Sequence, residues 1–394
     1  MGALSGLKVV EVSHVLAGPY CGYQLALLGA EVIKVELPSS PDCARGRGPI
    51  TALNEAGLGL NYQVQGGNKR SLAIDLRQQK GQEALLKICQ NADIFLENYT
   101  QGTLQNHGFG YQDLNAINEE IVYCSMTGYG GDCDSTAKHS FTAKKGAYDN
   151  TIQAVSGVIG QCKGVKPGVS FVDYAAGLSA GLAITSAIIQ RSRTGRGCYI
   201  SASMLEVAMS LMSPEVAAHQ VTTVQKKTPE PGINSYQTQS GVLMLGAFKP
   251  SQYQKLGSCL KAQGFDLPLL SDIYDWPAVK RHSSTLNSML SAIFIQRTAD
   301  EWVSLFDKHN IPAEKVLTLS EAIHSPQLAA RGYFVPSPND DKISLPLAGY
   351  KFSEGGPHLH SAPPALGADS RAVLKEHGFE DKYIDQLYIE RVLL

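Results

Sequence analysis

The chain has 394 residues, 43% hydrophobic and 18% charged, which fits a folded globular protein and excludes a disordered one. Its 34 basic residues nearly balance 36 acidic ones, for a net charge of −2, so no nucleic acid partner is expected. No apolar run of about 18 or more residues argues for a membrane span, and Met1-Gly2-Ala3-Leu4-Ser5-Gly6 lacks the charged and apolar parts of a secretory signal. The eight cysteines form no Cys-x-x-Cys pair and a chain this long needs no disulfide staples, so a reducing cytoplasm is the expected setting.

Residues 1–125 alternate strand and helix signals. Val9-Val10-Glu11-Val12 predicts a strand, followed by a helix over 19–28 and a second strand at Val32-Ile33-Lys34-Val35. Further strands are expected at Leu72-Ala73-Ile74-Asp75, Ile94-Phe95-Leu96 and Ile121-Val122-Tyr123-Cys124, with a helix over 82–89. Short apolar runs separated by helix-length segments indicate βαβ units and a buried parallel sheet. Residues 125–170 read as a long loop with one short helix over 148–156, and long loops in compact domains usually carry function.

A small-residue helix is expected over 174–191, then a turn at Thr194-Gly195-Arg196-Gly197, a strand at Cys198-Tyr199-Ile200 and a helix over 204–212. Residues 222–234, with Lys226, Lys227, Pro229, Pro231 and Gly232, read as a linker into a smaller α/β unit that extends to about 316. The division is therefore 1–221, 222–325 and 326–394, with helices over 370–377 and 382–392 in the return segment.

Asp173 stands just before the small-residue helix. There it would meet unpaired N–H groups and the positive end of the helix dipole, which would keep it ionised. Alone it reads first as a helix cap, since Asp is favoured there; a fixed carboxylate can also attack an activated acyl group. Gly177-Leu178-Ser179-Ala180-Gly181 has the spacing of a nucleophile elbow, but Ser179 falls inside the helix and the string reads as a close-packing face. Ser13-His14-Val15-Leu16-Ala17-Gly18-Pro19 follows a strand and opens a helix without a Gly-x-Gly-x-x-Gly fingerprint; its N–H groups suit a phosphate or pantetheine chain. Asn68-Lys69-Arg70-Ser71 reads as a basic cluster or an anion clamp. Glu97-Asn98-Tyr99 ends a strand, where open α/β sheets bind ligands. His358-Leu359-His360 places its histidines on opposite faces of an extended segment, a solvated loop rather than a metal site.

These strings, together with Leu28-Gly29-Ala30-Glu31, Ala147-Tyr148-Asp149, Arg331-Gly332 and Pro363-Pro364-Ala365-Leu366-Gly367, resemble the family III CoA-transferases, the CaiB/BaiF family, over nearly the whole chain. The resemblance implies an α/β fold: a Rossmann-like large domain built from both chain ends, a smaller central α/β domain, and an interlocked homodimer. It puts the family's nucleophile at Asp173. Leu16, Ala17, Ile74, Asp75, Leu76, Arg77, Asn98, Tyr99, Thr100, Gly146, Ala147, Tyr148 and Asp149 fall on CoA-binding positions. Leu37 and Asn106 stand where relatives often carry Arg, so Arg45, Arg47 or Arg77 would hold the CoA phosphates instead.

The implied activity moves CoA from a thioester of the succinyl-CoA or acetyl-CoA class to a short acid, expected to be a dicarboxylate. It proceeds through an aspartyl mixed anhydride and an aspartyl-CoA thioester. CoA is a co-substrate, and the chemistry needs no metal or redox cofactor, because both intermediates are already activated. His14 and Lys249 are candidate substrate residues, with Lys249 receiving a second carboxylate. The alternative is a 2-methylacyl-CoA racemase, against which stand Tyr148-Asp149 in place of His-Asp and Gly246-Ala247-Phe248-Lys249-Pro250 in place of a Glu-bearing string. Formyl-CoA:oxalate transfer is disfavoured by Leu16, where such relatives carry Gln. A non-catalytic CoA-binding subunit is the third class, opposed by an intact Asp173.

Overall fold

The computed structural model describes residues 1–131, 145–221, 229–338 and 340–394. Residues 132–144 of the expected functional loop and 222–228 of the expected linker, including Asp132, Cys133, Lys226 and Lys227, therefore lie outside the described residues. The chain divides into two compact units, Met1–Ala217 with Ala330–Leu394, and Ala218–Ala329.

The larger unit is built on a parallel sheet of β1 (Lys8–Val12), β2 (Glu31–Glu36), β3 (Lys69–Ala73), β4 (Ile94–Glu97), β5 (Val122–Thr127) and β6 (Cys198–Ser203). The strand order is β3-β2-β1-β4-β5-β6, which reverses direction between β1 and β4. Alternate residues of each strand enter opposite cores, and this is why the strands read as unbroken apolar runs. Val10, Ile33, Leu72 and Phe95 join Ala84, Leu85 and Ile88 of α2 (Gln79–Cys89) on one face. Val9, Val32, Ile94, Leu96 and Cys124 meet Cys21 and Leu25 of α1 (Ala17–Leu27) on the other. Each such fully buried aliphatic side chain contributes about 1.5–3 kcal/mol.

That second face also receives Val172, Ala176, Ala180 and Ile184 of a long helix, Phe171–Thr194. Before it comes a short helix, α3 (Asp149–Val155), so the long one is α4. A further short helix, Val158–Gln161, occupies part of the expected loop. α4 starts three residues before the expected Tyr174 and ends at Gly195, whose left-handed φ of 67° lets its N–H close on Arg191 O. It is the one helix among the described residues that is long and apolar enough to cross a membrane by composition, a property that the search for unbroken apolar runs missed. Here its inner stripe packs on the sheet and on α1. Gly177 permits the approach, since a Cβ there would lie 2.8 Å from Ala17 O; Gly181 has open space, so close packing applies to only half of the Gly-x-Ser-x-Gly string.

The smaller unit pairs β7 (Ile233–Gln237), β8 (Val242–Gly246) and β9 (Ala313–Lys315) antiparallel. α5 (Pro250–Ala262), α6 (Trp276–Phe294) and α7 (Ala299–Lys308) complete it around Trp302, Phe294 and Phe306. Trp302 finds the partner its buried N–H needs in Phe294 O at 2.9 Å.

The return segment forms a hairpin, β10 (Phe334–Ser337) with β11 (Asp340–Pro346), that its scattered prolines did not suggest. It then ends in α8 (Ser370–Glu376) and α9 (Asp381–Ile389). Val373, Leu374, Ile384 and Leu387 enter the core beside β3, and Asp75 N–H bonds Val392 O at 2.8 Å, so both chain ends build one unit.

Candidate active site

The reversal between β1 and β4 opens a crevice at their carboxyl ends. Asn98, just after β4, spans it. Its Oδ1 accepts the His14 N–H at 2.9 Å and its Nδ2 donates to His14 O at 2.8 Å, tying the loop after β4 to the loop after β1. The His14 ring lies 4.7 Å from that of Tyr99, and burial lowers its pKa despite the nearby Asp42 charge.

The loop after β1 carries backbone strain. Val15 has a φ of 69°, a left-handed value that costs a β-branched residue on the order of 1–3 kcal/mol. Its N–H donates to Asp42 Oδ1 at 2.9 Å and its carbonyl accepts from Gln65 Nε2 at 2.5 Å. Asp42 is itself fixed by Lys34 at 3.1 Å, and Lys34 also reaches Glu11 at 3.3 Å and Ser13 O at 2.8 Å. Lys69 meets the other Glu11 oxygen at 2.7 Å. Burial opposes the Lys34 charge, but Glu11 and Asp42 more than offset it and raise its pKa. Burial likewise opposes the Asp42 charge, and Lys34 with two backbone N–H groups holds its pKa below the usual value. This network, to which strands β1 to β3 supply Glu11, Lys34 and Lys69, is the base on which the loop's conformation rests.

Asp173 lies in the first turn of α4, not at its cap. The anion at the helix N-terminus is Asp149, whose Oδ1 accepts the N–H groups of Val172 at 2.9 Å and Asp173 at 3.2 Å. Gln153 secures the other Asp149 oxygen. The expectation of a carboxylate kept ionised by the helix end is therefore corrected. Burial, and then the neighbouring Asp149 charge, push the Asp173 carboxyl up to about 7. An ionised Asp173 is a high-energy group, poorly solvated and repelled.

One cavity gathers Leu16, Ala17, Asn98, Tyr99, Thr100, Gly146, Ala147 and Tyr148 around Asp173, with His14 at its wall. Asp149 does not line it; it is a buried partner of the first turn of α4. Ile74, Asp75, Leu76 and Arg77 follow β3 and do not line this cavity. There Arg77 pairs with Asp75 at 2.8 Å. Lys249 belongs to the smaller unit, exposed at the start of α5.

Arg45 is unavailable as a phosphate ligand. It is buried in a two-point pair with Glu36 (2.8 and 2.6 Å) and also donates to Tyr62. Nor is Asn68-Lys69-Arg70-Ser71 an anion clamp: Lys69 is buried against Glu11 and Arg70 pairs with Glu376. Sequence reasoning missed Met126, Thr127, Gly128, Lys145 and Met204, which also line the cavity. Met126 to Gly128 lie at the carboxyl end of β5, a position that the strand-end rule applied at Glu97-Asn98-Tyr99 would have flagged.

The CoA-transferase family III model matches residues 4–370. The succinyl-CoA:glutarate CoA-transferase of Homo sapiens is 31% identical over 98% of this chain and 88% of its own. The alpha-methylacyl-CoA racemase of Homo sapiens is 28% identical over 99% of this chain and 97% of its own. Among solved structures, a CAIB/BAIF family protein from Brucella suis superposes with a TM-score of 0.79 at 27% identity, covering 95% of this chain and 99% of that one. With a parallel six-stranded α/β sheet and a match that spans nearly its whole length, the chain belongs to CoA-transferase family III and is an enzyme of the transferase type.

Proposed function

We propose that the enzyme moves CoA from a thioester of the succinyl-CoA or acetyl-CoA class to a short dicarboxylic acid, with Asp173 as the covalent carrier. The observation that carries this reading is a buried carboxyl with a pKa of about 7 in the wall of the switch-point cavity. An Asp173 oxygen attacks the donor carbonyl, the C–S bond breaks, and CoA leaves as thiolate beside a mixed anhydride. The thiolate then attacks the aspartyl carbonyl, releasing the donor acid and leaving an aspartyl-CoA thioester. The acceptor carboxylate attacks that thioester and displaces the thiolate, and the thiolate takes the acceptor's acyl group to regenerate Asp173. Each acylation of Asp173 removes a buried charge beside Asp149, so ground-state destabilisation favours the covalent states.

CoA is proposed to lie along Leu16, Ala17, Asn98, Tyr99, Thr100 and Gly146–Tyr148, its thiol toward Asp173. Lys145, in the same wall, is a cation for its phosphates, alongside Arg77 at the end of β3. Similarity to the human succinyl-CoA:glutarate enzyme supports the dicarboxylic acceptor. The racemase reading draws on similarity to the human racemase, but a 60% exposed Tyr148 stands where an imidazole base is needed. A cytoplasmic homodimer is part of the proposal. The outer side of α4 exposes Leu178, Leu182 and Ile189, an apolar row suited to a second copy.

The test is CoA transfer, followed by mass spectrometry, from acetyl-CoA and succinyl-CoA to mono- and dicarboxylic acids. New acyl-CoA products that vanish in Asp173→Ala are expected. No products, with deuterium entering a 2-methylacyl-CoA from heavy water, would replace the transferase by the racemase.

A further inference from the structure

A second cavity, of about 420 Å³, shares Val15, Leu16 and Asp173 with the first. Leu60 and Val64 extend its apolar wall, and Arg47 and Asn61 add polar groups. Arg47 is exposed, and among the described residues no carboxylate pairs with its guanidinium. That separates it from Arg45, sealed against Glu36, and Arg77, paired with Asp75. The Arg47 backbone is fixed, its N–H bonding Ala44 O and its carbonyl accepting Asn61 N–H, both at 3.1 Å. So an unneutralised cation stands on a rigid segment in the same cavity as the buried Asp173.

A nucleophilic carboxylate, an apolar wall and a free planar cation together match a short acid bearing two carboxylates. One reacts at Asp173; the other suits the two-point hydrogen bonding of a guanidinium. We infer that Arg47 is a specificity-determining residue whose guanidinium receives the second, non-reacting carboxylate of the acceptor acid. This rests on the transferase reading above and moves the expected carboxylate contact from Lys249 to Arg47.

In a two-step exchange of this kind, kcat/KM for the acceptor reports only steps after the aspartyl-CoA enzyme has formed. It would be measured for glutarate and for valerate, with succinyl-CoA as donor, in wild type, Arg47→Met, Arg47→Lys and Lys249→Ala. Arg47→Met is expected to lower the glutarate-to-valerate ratio by about 10- to 100-fold, mainly through KM for glutarate, as fits loss of a charge-assisted pair. Arg47→Lys is expected to recover part of the ratio. An unchanged ratio in Arg47→Met, or a ratio that falls only in Lys249→Ala, overturns the inference while leaving the transferase intact. So does a KM that rises equally for succinyl-CoA and acetyl-CoA, which would make Arg47 a CoA-phosphate ligand. Wild type that transfers CoA to neither acid sinks both readings.

Discussion

Replacing Asp173 by Asn should stabilise the fold, and the gain should depend on pH. A carboxyl whose pKa rises from 3.8 to about 7 on folding binds its proton more tightly in the folded state. Its contribution is therefore fully present below the unfolded value and is lost as pH rises through the folded one. At about 1.36 kcal/mol for each tenfold difference in proton affinity, the ionised Asp173 costs on the order of 4 kcal/mol above about pH 8. Asn keeps the shape without that charge. Among the described residues the Asp173 side chain accepts no hydrogen bond that Asn would break, so the difference reports burial and the Asp149 repulsion. Glu97, which burial also pushes up to about 7, is common to both proteins and cancels in the comparison. Denaturant unfolding of wild type and Asp173→Asn at about pH 4, 6 and 8 should show the variant's advantage growing from near zero to a few kcal/mol. A difference that does not change with pH, or an advantage of the variant over wild type that is smaller at about pH 8 than at about pH 4, would refute the argument that Asp173 is held at high energy. Such a gain paired with loss of turnover is the stability–function exchange expected of a strained catalytic group.

Other outcomes follow from the same geometry. Asp149→Asn retains an oxygen for the Val172 and Asp173 N–H groups but removes the repelling charge, so the acid limb of the pH–rate profile, expected near 7, should move to lower pH. Lys34→Met leaves Glu11 and Asp42 without their shared cation and should cost about 3–5 kcal/mol in denaturant unfolding, with a raised KM for acyl-CoA as the Val15 loop loosens. Leu182, 70% exposed on α4, should be covered by a second copy; Leu182→Glu should shift sedimentation from dimer toward monomer.

Strands β1 to β5 were legible because each is buried on two faces, and an unbroken apolar run such as Val32-Ile33 is what two-sided burial demands. Asn98 was legible as a site residue because it ends a strand, although its role in clasping His14 was not. Other features depend on pairings distant in sequence. Nothing local shows that Arg45 is sealed by Glu36 or that Asp149, rather than Asp173, sits at the end of α4. Local reasoning gave Asp173 the dipole and so an ordinary carboxylate, whereas its burial is set by three-dimensional packing around the cavity. The β10–β11 hairpin was hidden by Pro336 and Pro346, which are tolerated in a two-stranded sheet because both strands are edges, where a missing N–H can point away from the partner.

The most direct test of the account is the intact mass of the protein after brief exposure to succinyl-CoA and acid quench, with peptide mapping of any adduct. The account predicts a covalent CoA thioester on the peptide containing Asp173, discharged by an acceptor acid and absent from Asp173→Ala. A protein that turns over acyl-CoA with no adduct on Asp173, or that keeps its adduct in Asp173→Ala, would contradict it.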